Sequence, residues 1–164
     1  MGVAPVLDLQ DRALPARLPP EPGVAVRPLG PADWPAVLAL DEAAFGAPRA
    51  ALLRGFAGRL PAAALVAERA GRVAGALLGR DGLRGPQLGP LLAEDAAGAR
   101  ALLAAGCAAA PGAALDLRDG AAGLGPWLAA AGGVPQRGFT RMALGADPPG
   151  DAARILAVAG PEFG

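Results

Sequence analysis

Carboxylates and guanidiniums supply nearly all the chemistry this chain can offer. The sequence has no Lys, His, Tyr, Ser or Asn, one Thr (Thr140) and one Cys (Cys107), and its fifteen basic residues are all Arg. An imidazole base needs His, and an ordinary zinc site needs His or several Cys, so neither can be built and no metal site is expected. Ser-based triads and Schiff bases are excluded in the same way. Proton transfer is left to Asp and Glu. The candidate bases are Asp41 and Glu42 on the first expected helix, Glu94, and Asp116 on a later strand. Asp41 shares a helical face with Leu38 and Phe45 and can turn inward; the alternative is an ion pair with Arg49 or Arg54. Cys107, among Ala and Leu at helical spacing, reads as a buried, inert thiol.

These groups need a frame, and the composition allows one. Of 164 residues, 53% are apolar and 18% charged, with fifteen acidic residues balancing the fifteen basic ones. Despite 25 Gly and 18 Pro, that combination is the reverse of a disordered chain and predicts one packed domain. No apolar run reaches the ~18 residues of a membrane span. Zero net charge leaves no excess for a phosphate backbone. Neither a membrane nor nucleic acid is therefore expected as a partner. A lone Cys excludes an internal disulfide, and no basic segment precedes an apolar core at the N-terminus, so a cytoplasmic location is expected.

Along the chain, residues 1–23 read as a Pro-rich tail or linker, with Val6, Leu7 and Leu9 able to form one short strand. Residues 24–164 are regular. Strand alternation at 24–29 ends at Gly30-Pro31, after which Asp33 is placed to cap a helix carrying Val37, Leu38, Asp41 and Phe45. A second amphipathic helix spans 49–60. Strands are expected at 63–68, 72–79 and 86–92, forming an antiparallel meander through short turns. A long Ala-rich helix follows at 96–110, then a strand at 114–117, parallel to the third of the meander, a helix at 125–132 and a strand at 138–145. The chain closes on Pro161-Glu162-Phe163-Gly164, a carboxylate and an aromatic suited to docking on its own domain or on a partner.

The order of strands and helices, two helices following the first regular strand, resembles the GNAT superfamily of acyl-CoA-dependent N-acetyltransferases. The stretches LALDEAAFGAPRAALLR (38–54), QLGPLLAEDAAGARALL (87–103), GFTRM (138–142) and AVAGPEFG (157–164) are similar to the C-terminal module of bacterial two-domain members. The resemblance covers residues 24–164. It implies an α/β (α+β) fold, a mixed, mostly antiparallel central sheet flanked by helices, with acetyl-CoA as cofactor and a small-molecule amine as acceptor. In the superfamily the cofactor's pyrophosphate lies on a strand-loop-helix motif, [RQ]-x-x-G-x-[GA], whose free N–H groups and helix dipole favour an anion. The matching residues here are Glu94-Asp95-Ala96-Ala97-Gly98-Ala99, with Glu in place of Arg or Gln and Ala97 in place of the first Gly.

By resemblance, the cofactor-binding residues are Leu91, Leu92, Ala97, Gly98, Ala99 and Arg100, and the acceptor site involves Asp41, Arg49, Thr140 and Arg141. Asp41 and Glu94 are the catalytic candidates. Capping of the helix by Glu94 and Asp95 is favoured over cofactor contact. The superfamily often uses a Tyr acid; this chain has none, and Trp127 at the corresponding helix cannot replace it. The alternative function is therefore a non-catalytic GNAT-like module for association or ligand sensing, half of a split two-domain protein. The abundance of apolar residues predicts that the chain self-associates or docks on another acetyltransferase domain.

Overall fold

The computed structural model describes residues 3–145 and 150–163. Its strands are β1 (Val3–Ala13), β2 (Ala25–Pro28), β3 (Leu65–Arg69), β4 (Arg72–Gly82), β5 (Gly85–Ala93), β6 (Ala114–Arg118) and β7 (Val134–Leu144). They form one sheet in the order β2-β3-β4-β5-β6-β1-β7. The meander β3–β5 is antiparallel as expected, and β6 lies parallel to β5. Both residues of the β3–β4 turn, Ala70 and Gly71, have positive φ (49° and 74°), the conformation that lets a two-residue hairpin follow the strands' twist.

Four α-helices cover the sheet: α1 (Trp34–Phe45), α2 (Ala50–Arg59), α3 (Ala96–Ala109) and α4 (Leu124–Ala130). Helix α3 buries Leu102, Leu103, Gly106 and Cys107, packing with Leu77, Leu88 and Leu115. Val37 of α1 packs with Val66 and Ala76, and Leu53 and Phe56 of α2 with Leu78. Asp33 departs from its expected capping role. Its carboxylate makes no cap bond to α1; it accepts the Gly30 N–H and the Arg27 fork at 2.7 and 2.8 Å. Asp33 has helical backbone (φ −82°, ψ −19°) where a capping residue is extended, so its carboxylate turns back to Gly30 and Arg27. The Arg27 hydrogen bonds hold Asp33 down at a pKa of about 2.

Residues 1–23 differ most from expectation. Val3–Ala13 is a full strand lying between β6 and β7, antiparallel to both. Leu7 and Leu9 join Ile155 and Val158 in the core on the α1 side of the sheet. The Pro-rich stretch is also fastened to the domain: Leu14 and Leu18 are buried, and Glu21 binds Arg100 of α3 at 2.6 Å. The strand β7 likewise begins earlier than expected, because its first residues pair with the end of β1.

Replacing Leu9, 3% exposed, by Ala should therefore cost about 2–4 kcal/mol of unfolding free energy in urea titrations. A loose tail would show less than ~0.5 kcal/mol.

Candidate functional site

Two parallel strands that pair for only two residues create the main cleft. Strands β5 and β6 are in register at Gln87–Ala114 and Leu88–Leu115, then diverge. The gap beyond is filled by the segment Ile155–Ala159, which runs antiparallel to both strands through bridges from Ala157 to Leu91 and to Leu117. The Leu91 N–H donates to Ala157 O (3.1 Å) and the Leu156 N–H to Leu91 O (3.3 Å). On the other side the Arg118 N–H donates to Leu156 O (2.9 Å) and the Val158 N–H to Asp116 O (3.0 Å). All five residues of the segment are buried. The Arg118 side chain clamps its start, donating to Ile155 O at 2.7 Å and Ala153 O at 3.1 Å.

At the outer end of the gap, an open cleft of about 520 Å³ is lined by Leu92, Glu94, Asp95, Arg118, Arg154 and Leu156, among others. Of the residues named for cofactor contact, only Leu92 is in this lining; Leu91 lies beside it on β5, and Ala97, Gly98, Ala99 and Arg100 lie in the first turns of α3. Asp95 is the N-cap, its carboxylate accepting the Gly98 N–H at 2.8 Å while pairing with Arg69. Glu94 takes both teeth of the Arg72 fork, which lowers its pKa. Ala99 is buried in the core, and Arg100 points to Glu21. Leu91 and Leu92 border the gap, where Leu91 already serves the inserted segment. An acyl-CoA molecule does not fit these residues in this conformation. The strand gap is full, and the helix terminus already holds a carboxylate.

The acceptor-side residues lie on the α1 face. Asp41 is 1% exposed and bound by both Nε and Nη2 of Arg49 at 2.8 Å, so the ion-pair alternative describes its position. Arg49 and Arg141 both lie over the Phe45 ring, 4.0 and 5.0 Å from its centroid. Burial, then the Arg49 charge, lowers the pKa of Arg141. Thr140 does not join this group. Strand alternation sends it to the opposite face, where its hydroxyl donates to Asp8 at 2.7 Å.

Among the described residues the buried carboxylates are Asp33, Asp41 and Asp116, and of these Asp116, on β6, has no arginine in contact. It is 1% exposed, accepts a hydrogen bond from Gln87 Nε2, and borders a second cleft of about 360 Å³ with Asp11, Arg80, Arg137 and Glu162. Burial, then the Asp11 charge, pushes its pKa up to about 6. A single polar residue in an apolar strand, ALDL (114–117), was the sequence signal for it. Cys107 is buried, and burial pushes its thiol to about 11, in keeping with an inert role. Among the described residues no cluster of three His, Cys, Asp or Glu is placed to hold a metal, and no helix is long and apolar enough to cross a membrane.

The family model for the acetyltransferase (GNAT) domain matches residues 37–157, and the chain belongs to that family. Two solved structures share its fold. An acetyltransferase candidate from Pyrococcus horikoshii aligns with TM-score 0.74 at 18% identity, covering 99% of this chain and 53% of the other. A GCN5-related N-acetyltransferase from Sphaerobacter thermophilus aligns with TM-score 0.63 at 20% identity, covering 86% and 52%. The chain thus spans about half the length of these structures. No curated protein matches it.

Asp116 gives the site a pH signature. Its folded pKa of about 6 lies above the ordinary 3.8, so the stability it contributes is complete below about pH 4 and is lost as pH rises through 6. Asp116→Asn, neutral throughout, should gain about 1–3 kcal/mol on wild type between pH 4 and 7 in urea denaturation. A difference that ignores pH would overturn this assignment.

Proposed function

We propose that the chain is an acyl-transfer module of the GNAT type, directed at a small amine with acetyl-CoA as donor, and held in a closed form by its own C-terminal segment. The observation that carries this reading is the parting of β5 and β6. It leaves a gap with main-chain donors and acceptors on both walls, next to the one buried carboxylate whose environment favours taking up a proton near neutral pH. Proximity alone can account for much of such a reaction's acceleration, so a module without Tyr is chemically admissible. Asp116 replaces Asp41 and Glu94 as the base in this proposal. Both carboxylate oxygens of each of those two are taken by arginine forks, Asp41 by Arg49 and Glu94 by Arg72, so neither is free to face an acceptor. Arg141 is retained as the acceptor-side cation, favouring an acceptor that also carries an anionic group, with Arg49 beside it held by Asp41.

A second reading is supported by the Asp95 cap and the filled gap: a non-catalytic module retained for association with a second copy or another acetyltransferase domain. Its surface would be the β1–β7 margin, where Val3, Met142 and Leu144 are 61%, 51% and 71% exposed. Register pairs Val3 with Leu144 on β1 and β7, and the two-residue period puts Met142 on the face of Leu144. Met142→Glu with Leu144→Glu should then shift sedimentation toward monomer. A wild-type chain monomeric at high concentration would remove that reading.

Calorimetric titration with acetyl-CoA, alongside thiol release with a panel of small amines, tests the first reading. Weak, saturable binding and slow release that falls at least ~10-fold in Asp116→Asn are expected, the ordinary scale of a lost general base being 10²–10⁴. Glu94→Arg should tighten binding only modestly, because it sets a cation beside Arg72 while Asp95 still caps the helix. A folded sample giving neither heat nor thiol, even with the gap opened as described below, would leave the association module as the account.

A further inference from the structure

The segment that fills the β5–β6 gap has the build of a ligand. It satisfies four main-chain groups of the two walls and is held in the sheet by one bridge on each side, with no longer ladder. Its middle residues, Ala157, Val158 and Ala159, are small. Its far end is fixed by side-chain groups: the half-exposed Glu162 binds the mostly buried Arg80 at 2.7 Å, and Arg49 donates to Phe163 O at 3.2 Å. The Phe163 ring meets Phe56 edge-on at 5.2 Å. The segment continues past the gap to two further clefts, Val158, Gly160 and Pro161 bordering one beside Arg141, and Pro161 and Glu162 the one beside Asp116. One peptide therefore lies across the gap and borders both clefts.

We propose that Ile155–Phe163 is a displaceable strap, an occupant in cis of the β5–β6 gap, whose release uncovers a site for an extended chain bearing amide N–H and C=O groups, the chemistry of an acyl-CoA arm. The proposal rests on the acyl-donor reading above for the identity of that ligand. The strap itself rests on geometry alone. Walls that part leave two donors, Leu91 N–H and Arg118 N–H, and two acceptors, Leu91 O and Asp116 O, and any occupant must answer them. A segment joined to each wall by a single bridge has fewer ladder bonds to break than the helix and strands around it, and opens at less cost.

Amide hydrogen exchange of the full chain is the direct test. In sub-denaturing urea the Leu91, Arg118 and Val158 amides should exchange well before those of Leu103 and Cys107 in α3. Glu162→Gln combined with Phe163→Ala, which loosens the far anchor, should speed the first set about tenfold and tighten acetyl-CoA binding by a similar factor, since it raises the competent fraction. A synthetic peptide of residues 151–163 added in trans should reverse both effects. If the wild-type gap amides exchange only in step with Leu103, the segment is a fixed part of the core and the proposal is overturned; this measurement needs no variant to fold. If the gap opens and the peptide rebinds but acetyl-CoA gives no heat, the strap stands and the acyl-donor reading fails.

Discussion

Main-chain hydrogen-bonding groups inside a folded chain must find partners, and two strands that part company violate that requirement along both inner edges. Most of this molecule's C-terminal architecture answers that one constraint. The β5–β6 pairing lasts two residues, so Leu91, Asp116 and Arg118 present donors and acceptors to a buried space. Leaving them unmet would cost roughly 1–3 kcal/mol each. The inserted segment meets them. Its position then fixes where Arg118, Arg80 and Arg49 point, because each guanidinium spends donors on the segment or its side chains. The clefts are what remains around it.

Charge follows the same economy. With no Lys or His, every cationic side chain is a fork, and the carboxylates with chemical potential are met by forks: Asp41 by Arg49, Glu94 by Arg72, Asp33 by Arg27. At the N-terminus of α3, Asp95 supplies from within the chain the negative group that a helix end attracts. Asp116 escapes because it lies in the middle of β6, where backbone geometry admits Gln87 as hydrogen-bond partner. Its raised pKa is the consequence of burial without a cation in contact.

The parts of this arrangement readable in the sequence are those set by local period and local turns. The meander β3–β5, helix α3 and the parallel β6 follow from apolar spacing and short connections; an ion pair at Asp41 was one reading, with Arg49 and Arg54 both open as partner. Strand β1 was read only as a short possibility because its partners lie far along the chain. Its alternation, Leu7 and Leu9 inward with Asp8 outward, acquires meaning only when β6 and β7 flank it. The Thr140–Arg141 pair was read as one site, yet adjacent strand residues face opposite ways. Only the far end of the strap had a local signal, Glu162 and Phe163 reading as groups suited to docking, which they do on Arg80 and Phe56. ILAVAG is too short to declare a strand, and the space it fills exists only once β5 and β6 have diverged.

One residue ties the cleft to its occupant. Gly89, on β5 just before the walls part, has φ +140°, and a Cβ there would lie 2.1 Å from Val158 O. A side chain at 89 is therefore excluded twice, by backbone conformation and by the strap's carbonyl. A groove whose only task was to receive a free ligand would feel the first constraint and not the second. The close approach at Gly89, the four main-chain bonds, and the Phe56–Phe163 contact are separate features of this sequence that agree on one occupant. The wall of the cleft is thus shaped to its own C-terminal segment, and an external ligand must compete with a partner held at very high effective concentration by the chain itself.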